Sequence, residues 1–170
     1  MDGMIITDES LPYPLATTDW LASELGAGDL KIIDASWRMP GNPPAIEDHR
    51  TRRIPGAVFF DLDAIADKSA GLPHMLATPD DFAAKIGALG VSGKDRLVVY
   101  DDAGIFSAAR VWWNFRAMGH DAVSVLDGGL PKWLSEGRAV ESGEASPAPV
   151  SYRVTTTRPI VKSAAEVRDM

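Results

Sequence analysis

Arg96-Leu-Val-Val-Tyr-Asp-Asp-Ala-Gly-Ile-Phe-Ser107 is the stretch whose reading decides the fold. Leu97 to Tyr100 is an unbroken apolar run rich in branched residues, as in a strand buried on both faces of a parallel sheet. It stops at Asp101 and Asp102, and a glycine-bearing loop then leads to Ser107, where a helical pattern begins. Similar runs lie at Lys31 to Ala35, Ala57 to Phe60 and Ala122 to Leu126, each ending in Asp or close to one. Helical patterns separate them at Thr18 to Leu25, Pro79 to Leu89 behind a Thr78 cap, Ser107 to Met118, and Pro131 to Ser135. Alternating strands and helices predict an α/β domain with an open parallel sheet flanked by helices. Ligands of such sheets bind beyond the carboxyl ends of the strands, so chemistry is expected in the Asp-bearing loops.

The composition narrows the function. A chain of 170 residues with 45% hydrophobic content supports one ordinary domain plus a tail, without a disulfide or metal staple. With 24 acidic against 17 basic residues and a net charge of -7, it lacks the basic face that nucleic acid or an anionic membrane rewards. A small anionic substrate would need a local cationic pocket. There is no window of about 18 apolar residues and no signal-peptide succession at the amino terminus, so a cytoplasmic location is expected. The absence of cysteine removes disulfides, thiolate metal sites and every cysteine nucleophile. His49, His74 and His120 are the only histidines, which argues against a histidine-rich metal site, and no cofactor is expected.

Beyond Gly137 the pattern decays. Glu141 to Val150 carries Ser, Gly and two prolines without periodicity and reads as a linker, followed by a short branched run from Tyr152 to Thr157. Ser163 and Glu166 then stand three apart, the spacing of a capping box at a helix start. A helix of one turn is not stable alone, so a helix beginning here is expected to continue. Leu15 to Leu21 has a similar order of apolar, hydroxyl and acidic residues, which suggests that the tail opens a second copy of the same unit. The expected division is a domain over 1–140, a linker over 141–160 and the start of a truncated second domain over 161–170.

At Arg53-Ile-Pro-Gly-Ala-Val-Phe-Phe-Asp-Leu-Asp63 the chain resembles the signature of the rhodanese family. Pro73-His-Met-Leu76, Val98-Val-Tyr-Asp101, Arg110-Val-Trp-Trp113, Gly119-His120 and Leu126-Asp-Gly-Gly-Leu-Pro-Lys-Trp133 follow in the order seen in amino-terminal domains of tandem thiosulfate and 3-mercaptopyruvate sulfurtransferases. The resemblance covers roughly residues 10 to 168. It implies a rhodanese-like fold and a sulfurtransferase that moves sulfane sulfur from 3-mercaptopyruvate or thiosulfate, small anionic donors, to a thiophilic acceptor. The partner it implies is a second rhodanese domain of the same protein. Two departures matter. Arg53 stands where the family usually has His, and Asp101 stands where a catalytic rhodanese domain has its sulfur-carrying cysteine.

The second departure has a chemical consequence. A persulfide-forming cysteine must act as a thiolate held by amides at a helix amino terminus. A carboxylate can occupy that cradle but cannot accept a sulfane sulfur and pass it on. Asp101 therefore marks an inactive-site position, and Asp101 and Asp102 also suit the capping of the following helix. The chain alone is expected to be inactive. The resemblance further matches Asp63 and His74 to an acid and a histidine that assist carbon-sulfur cleavage of mercaptopyruvate at the domain interface. There Asp would orient the imidazole and His would move the proton. The alternative for both is structural, a strand-end cap and a loop histidine.

Other features carry less. His49, Arg50, Arg52 and Arg53 form the basic cluster, read as a solvated loop balancing Glu47 and Asp48 rather than an anion-steering patch. Trp112 and Trp113 are adjacent on one helix and cannot share a face, while Trp37 either packs at an interface or lines the site. Asp61 and Asp63 on an apolar run are spaced like the aspartates of a dehalogenase-type phosphatase, but Ala64 and Ile65 replace the Gly and Thr such a turn needs. Gly87 to Lys94 fails as a phosphate loop, because Ala88 and Asp95 stand where Gly and a hydroxyl residue are required. A competing overall reading is a free-standing, cysteine-less rhodanese module with a binding or regulatory role.

Overall fold

A computed structural model describes residues 11–170. The first ten residues of the domain expected over 1–140, and the amino-terminal stretch read for a targeting signal, lie outside the described residues. The elements are β1 (Leu15–Ala16), α1 (Thr18–Glu24), β2 (Leu30–Asp34), α2 (Ala45–Thr51), β3 (Val58–Phe59), α3 (Leu62–Ile65), α4 (Pro79–Ala88), β4 (Arg96–Tyr100), α5 (Ala108–Ala117), β5 (Val123–Leu126), α6 (Gly129–Ser135) and α7 (Ala164–Arg168). The strands form one five-stranded sheet in the order β1-β5-β4-β2-β3, and every pairing is parallel. The α/β architecture read from the sequence is therefore the one observed.

Strand β4 is central and all five of its residues are buried. Leu97 and Val99 point to one face, where α3, α4 and α5 bring Leu62, Ile65, Phe82, Ile86, Val111 and Phe115. Val98 and Tyr100 point to the other, where α1 and α6 bring Leu21, Leu130 and Trp133. Alternation along one strand thus fills two layers, which is why the run shows no polar positions. Trp112 and Trp113 divide as their spacing requires. The Trp112 indole donates to the Val123 carbonyl at 3.0 Å, while Trp113 lies beneath the Arg110 guanidinium, 4.7 Å from its carbon.

The basic cluster is not a solvated loop. It lies on and just after α2, a helix the sequence reading did not anticipate, and His49 and Arg53 are buried at 3% exposure each. Only Arg50 and Arg52 remain exposed. Glu47 and Asp48 do not neutralise Arg53; its Nε donates to Glu141 at 3.1 Å and its Nη1 to the Gly143 carbonyl at 2.5 Å. The backbones of Arg53 and Glu141 exchange hydrogen bonds of 3.0 and 2.9 Å. Arg53 and Glu141 therefore clip a distant segment to the Ile54-Pro55-Gly56 turn.

That segment, residues 141–158, includes most of the stretch read as a linker, and it runs along the domain as an extended strap without forming a strand. The Val150 amide donates to the Gly87 carbonyl at 2.9 Å and the Arg158 amide to the Ala117 carbonyl at 2.8 Å. Tyr152 is buried against Phe82 and His120. At Gly119, with φ +80°, a Cβ would stand 2.2 Å from the Thr156 carbonyl oxygen, so the strap's path depends on the missing side chain. The capping box at Ser163 forms as expected: its hydroxyl accepts from the Glu166 amide at 3.2 Å and the Glu166 carboxylate accepts from the Ser163 amide at 2.7 Å.

Candidate functional site

Three strands deliver the site at their carboxyl ends. β2 leads into Ser36-Trp37-Arg38, β3 into Asp61-Leu62-Asp63, and β4 into the loop from Asp101 to Ser107. Because β2 pairs with both β3 and β4, these loops are neighbours although far apart in sequence.

Asp101 is completely buried. One carboxylate oxygen accepts from the Ala103 amide at 2.9 Å, and the other accepts from the Phe106 and Ala108 amides at 2.6 and 2.8 Å. The carboxylate thus fills an amide cradle opening onto the first turn of α5. Ser107, at the cap position, makes no side-chain capping bond and instead donates its hydroxyl to the Ala35 carbonyl at 2.6 Å. The helix-capping reading of Asp101 is the arrangement observed, its carboxylate accepting amides at the start of α5.

The loop after β2 is stitched to this cradle. The Asp34 carboxylate accepts from the Ser36 amide and hydroxyl at 2.9 and 2.5 Å, and lies 2.8 Å from His49 Nδ1. The Ser36 hydroxyl oxygen also accepts from the Asp102 amide at 3.0 Å. Arg38 joins Asp102 through Nη1 at 2.9 Å and Asp48 through Nη2 at 2.7 Å, and these carboxylates hold its guanidinium above its ordinary pKa. Beneath them burial pushes the Tyr100 phenol well above 10, with the Asp34 charge adding to the shift.

Asp63 and His74 meet at the third loop. Asp61 caps α3 by accepting from the Asp63 and Ala64 amides at 3.1 and 3.0 Å, which fixes the Asp63 backbone and commits Asp61 to a structural task. His74 lies in a loop closed by the Asp67 amide donating to the Met75 carbonyl at 2.9 Å. Its Nδ1 is 3.2 Å from Asp63 Oδ1 without the alignment of a hydrogen bond. His74 is the one described non-glycine residue with a positive φ, 58°. Such a conformation costs about 1–3 kcal/mol and persists where the surroundings impose it. The Arg110 guanidinium donates to the His74 carbonyl in this conformation, and burial lowers the arginine's pKa. Trp37 completes the group, donating Nε1–H to Asp63 Oδ2 at 3.0 Å and meeting the His74 ring edge-on at 5.2 Å.

The sequence thus pointed to two residues that the fold brings together, and missed Trp37's bond to Asp63, Arg110's hold on His74 and the His49–Asp34 contact. A cleft of about 330 Å³ opens beside Asp63, with Trp37, Met39 and Phe59 among its walls. Another of about 460 Å³ lies between Arg38, Arg52 and Leu130. Met39 in the wall of the first cleft and Phe106, whose ring lies 6.4 Å from that of Trp37, are 61% and 63% exposed.

The described strands thus form a parallel α/β sheet with an amide cradle after its central strand. A family profile described as "Rhodanese-like domain" matches residues 17–136, and the chain belongs to the rhodanese family. Among curated relatives, thiosulfate/3-mercaptopyruvate sulfurtransferase 1, mitochondrial, of Arabidopsis thaliana is 51% identical over 86% of this chain and 39% of its own length. The human 3-mercaptopyruvate sulfurtransferase is 40% identical over 91% of this chain and 54% of its own length. In structure, a 3-mercaptopyruvate sulfotransferase from Escherichia coli superposes with a TM-score of 0.84 at 35% identity, covering 91% of this chain and 61% of the other. The chain therefore spans about half the length of the curated relatives it matches. Among the described residues, no helix is long and apolar enough to cross a membrane.

Proposed function

We propose that this chain is the amino-terminal half of a two-domain sulfurtransferase, acting on 3-mercaptopyruvate or thiosulfate through a cysteine persulfide carried by a second rhodanese domain. The reading places a domain over 1–140, the connection to the partner domain over 141–160 and the partner's first helix from 161 onward. The observation that carries it is Asp101, whose carboxylate takes three amides of the cradle in a chain without cysteine. A half with its own carrier position filled can contribute only groups that serve a carrier elsewhere. The reading includes a cytoplasmic location, although the Arabidopsis relative bears the word mitochondrial in its name.

With thiosulfate, the partner's thiolate attacks the outer sulfur, the sulfur-sulfur bond breaks and sulfite departs with the electron pair. With 3-mercaptopyruvate, the thiolate attacks the substrate sulfur, the carbon-sulfur bond breaks and its electron pair leaves as the enolate of pyruvate, which needs a proton at carbon. His74 supplies that proton and Asp63 orients the imidazole. The acceptor then attacks the terminal sulfur and releases the thiolate.

The two donors differ in their need for an acid, and this provides the test. In a protein that joins this chain to the cysteine-bearing domain, His74→Ala lowers mercaptopyruvate turnover by about 10²- to 10⁴-fold and largely spares thiosulfate. Asp63→Asn shows the same selectivity with a smaller loss. Equal losses on both donors, with a lowered unfolding temperature, assign the pair a structural role.

A further inference from the structure

Asp63 is exposed, with 63% of its side chain accessible, and an exposed carboxylate is not held in one orientation by packing. Its firmest side-chain partner is the Trp37 indole, a donor without acceptor capacity, which takes Oδ2 at 3.0 Å and leaves Oδ1 facing His74. Trp37 is in turn fixed from two sides. Its own segment is tied to the Asp101 loop through Ser36 and Asp102 at 3.0 Å and through Ala35 and Ser107 at 2.6 Å. Its ring lies 6.4 Å from that of Phe106, whose amide donates to the Asp101 carboxylate at 2.6 Å. The path from the buried Asp101 to the imidazole is thus Asp101, Phe106, Trp37, Asp63, His74.

Resting on the proton-transfer reading of Asp63 and His74, we infer that Trp37 is a positioning residue for that pair, and that the Asp101 loop serves the site by holding Trp37 through Phe106. The loop that cannot carry sulfur still does work for the site. Its carboxylate holds the amides of Ala103, Phe106 and Ala108 from within, which fixes the backbone from which Phe106 projects toward Trp37. Aromatic pairs at this separation contribute by orientation as well as by buried area. The bulky, two-torsion indole restricts Asp63 more firmly than a flexible donor would.

The test reads positions rather than turnover, in the full 170-residue chain, by nuclear magnetic resonance of the indole N–H and imidazole C–H groups. Trp37→Phe assigns the Trp37 resonance by its loss and is expected to shift the His74 ring resonances while leaving the amides from 103 to 108 in place. Phe106→Ala is expected to shift both the Trp37 indole and the His74 ring, and Phe106→Tyr to restore them. Phe106 is exposed, so its replacement is expected to leave the fold intact and the readout informative. The double variant Trp37→Phe/Phe106→Ala is expected to give the His74 shift of Trp37→Phe alone, because Phe106 acts through the indole. An unmoved indole and imidazole in Phe106→Ala, or strictly additive shifts in the double variant, overturns the proposal. Since no activity is read, the relay can fail while the proton-transfer role of His74 stands, and the reverse.

Discussion

At the scale of single residues, His120 shows how burial fixes a protonation state. Its Nε2 lies 2.8 Å from the Asp95 carbonyl, which can only accept, so that nitrogen carries the proton and Nδ1 accepts from the Tyr152 hydroxyl at 3.0 Å. Burial lowers the His120 pKa from 6.5, outweighing the backbone bond to Asp95 and the charges of Asp95 and Asp121. A folded pKa below the unfolded one means the unfolded chain binds the proton first. Stability is then held above 6.5 and lost as the pH falls through that value toward the folded pKa. Between about pH 7.5 and about pH 5.5 the denaturation midpoint is expected to fall less in His120→Gln than in the parent. Equal slopes would remove His120 from the account. What was legible at this scale depended on the kind of signal. Asp101, Asp63 and His74 could be singled out through the family resemblance, whereas their contacts are set by the fold. His49 could not, because its charged neighbours on α2 mask a helix face that is buried at Ala45 and His49. Trp37 and Arg110 act on partners 26 and 36 positions away, and no local pattern announces such a pair.

At the scale of elements, the strap from 141 to 158 and helix α4 depend on each other. Gly87 lies inside α4, where alanine would ordinarily gain up to about 1 kcal/mol of helix propensity. Here its Cβ would stand 2.5 Å from the Val150 carbonyl oxygen. The contact is with backbone, so relief requires the strap to move. Gly87→Ala is expected to destabilise the protein by about 1–3 kcal/mol and to speed amide exchange at Val150. A gain in stability would show that the strap does not seat on α4. The strands and longer helices were legible because their patterns are local: the apolar run of β4, the Thr78 cap accepting from Asp81 at 3.3 Å, and the capping box at Ser163. α2 begins behind Pro44, which offers no capping side chain, and so gave no start signal. The strap has no periodicity of its own, and its seat is built from glycines and carbonyls of other elements.

At the scale of the whole molecule, the parallel sheet brings three loops to one edge, and each has a separate task. The loop after β4 is closed on its own carboxylate, the loop after β2 supplies Trp37 and Arg38, and the loop after β3 supplies Asp63 against His74. The sequence showed this edge as a row of strand-terminal aspartates without showing which faced solvent and which were consumed internally. Asp34 and Asp101 are buried at 2% and 0% exposure, whereas the Asp63 side chain is 63% exposed, a division set by tertiary contacts alone. The central claim is that this half holds the proton-handling groups and not the sulfur carrier. It is tested most directly by incubating the purified chain with thiosulfate or 3-mercaptopyruvate and cyanide and measuring thiocyanate. The account predicts no thiocyanate above the protein-free control with either donor, and sustained turnover with either one would contradict it.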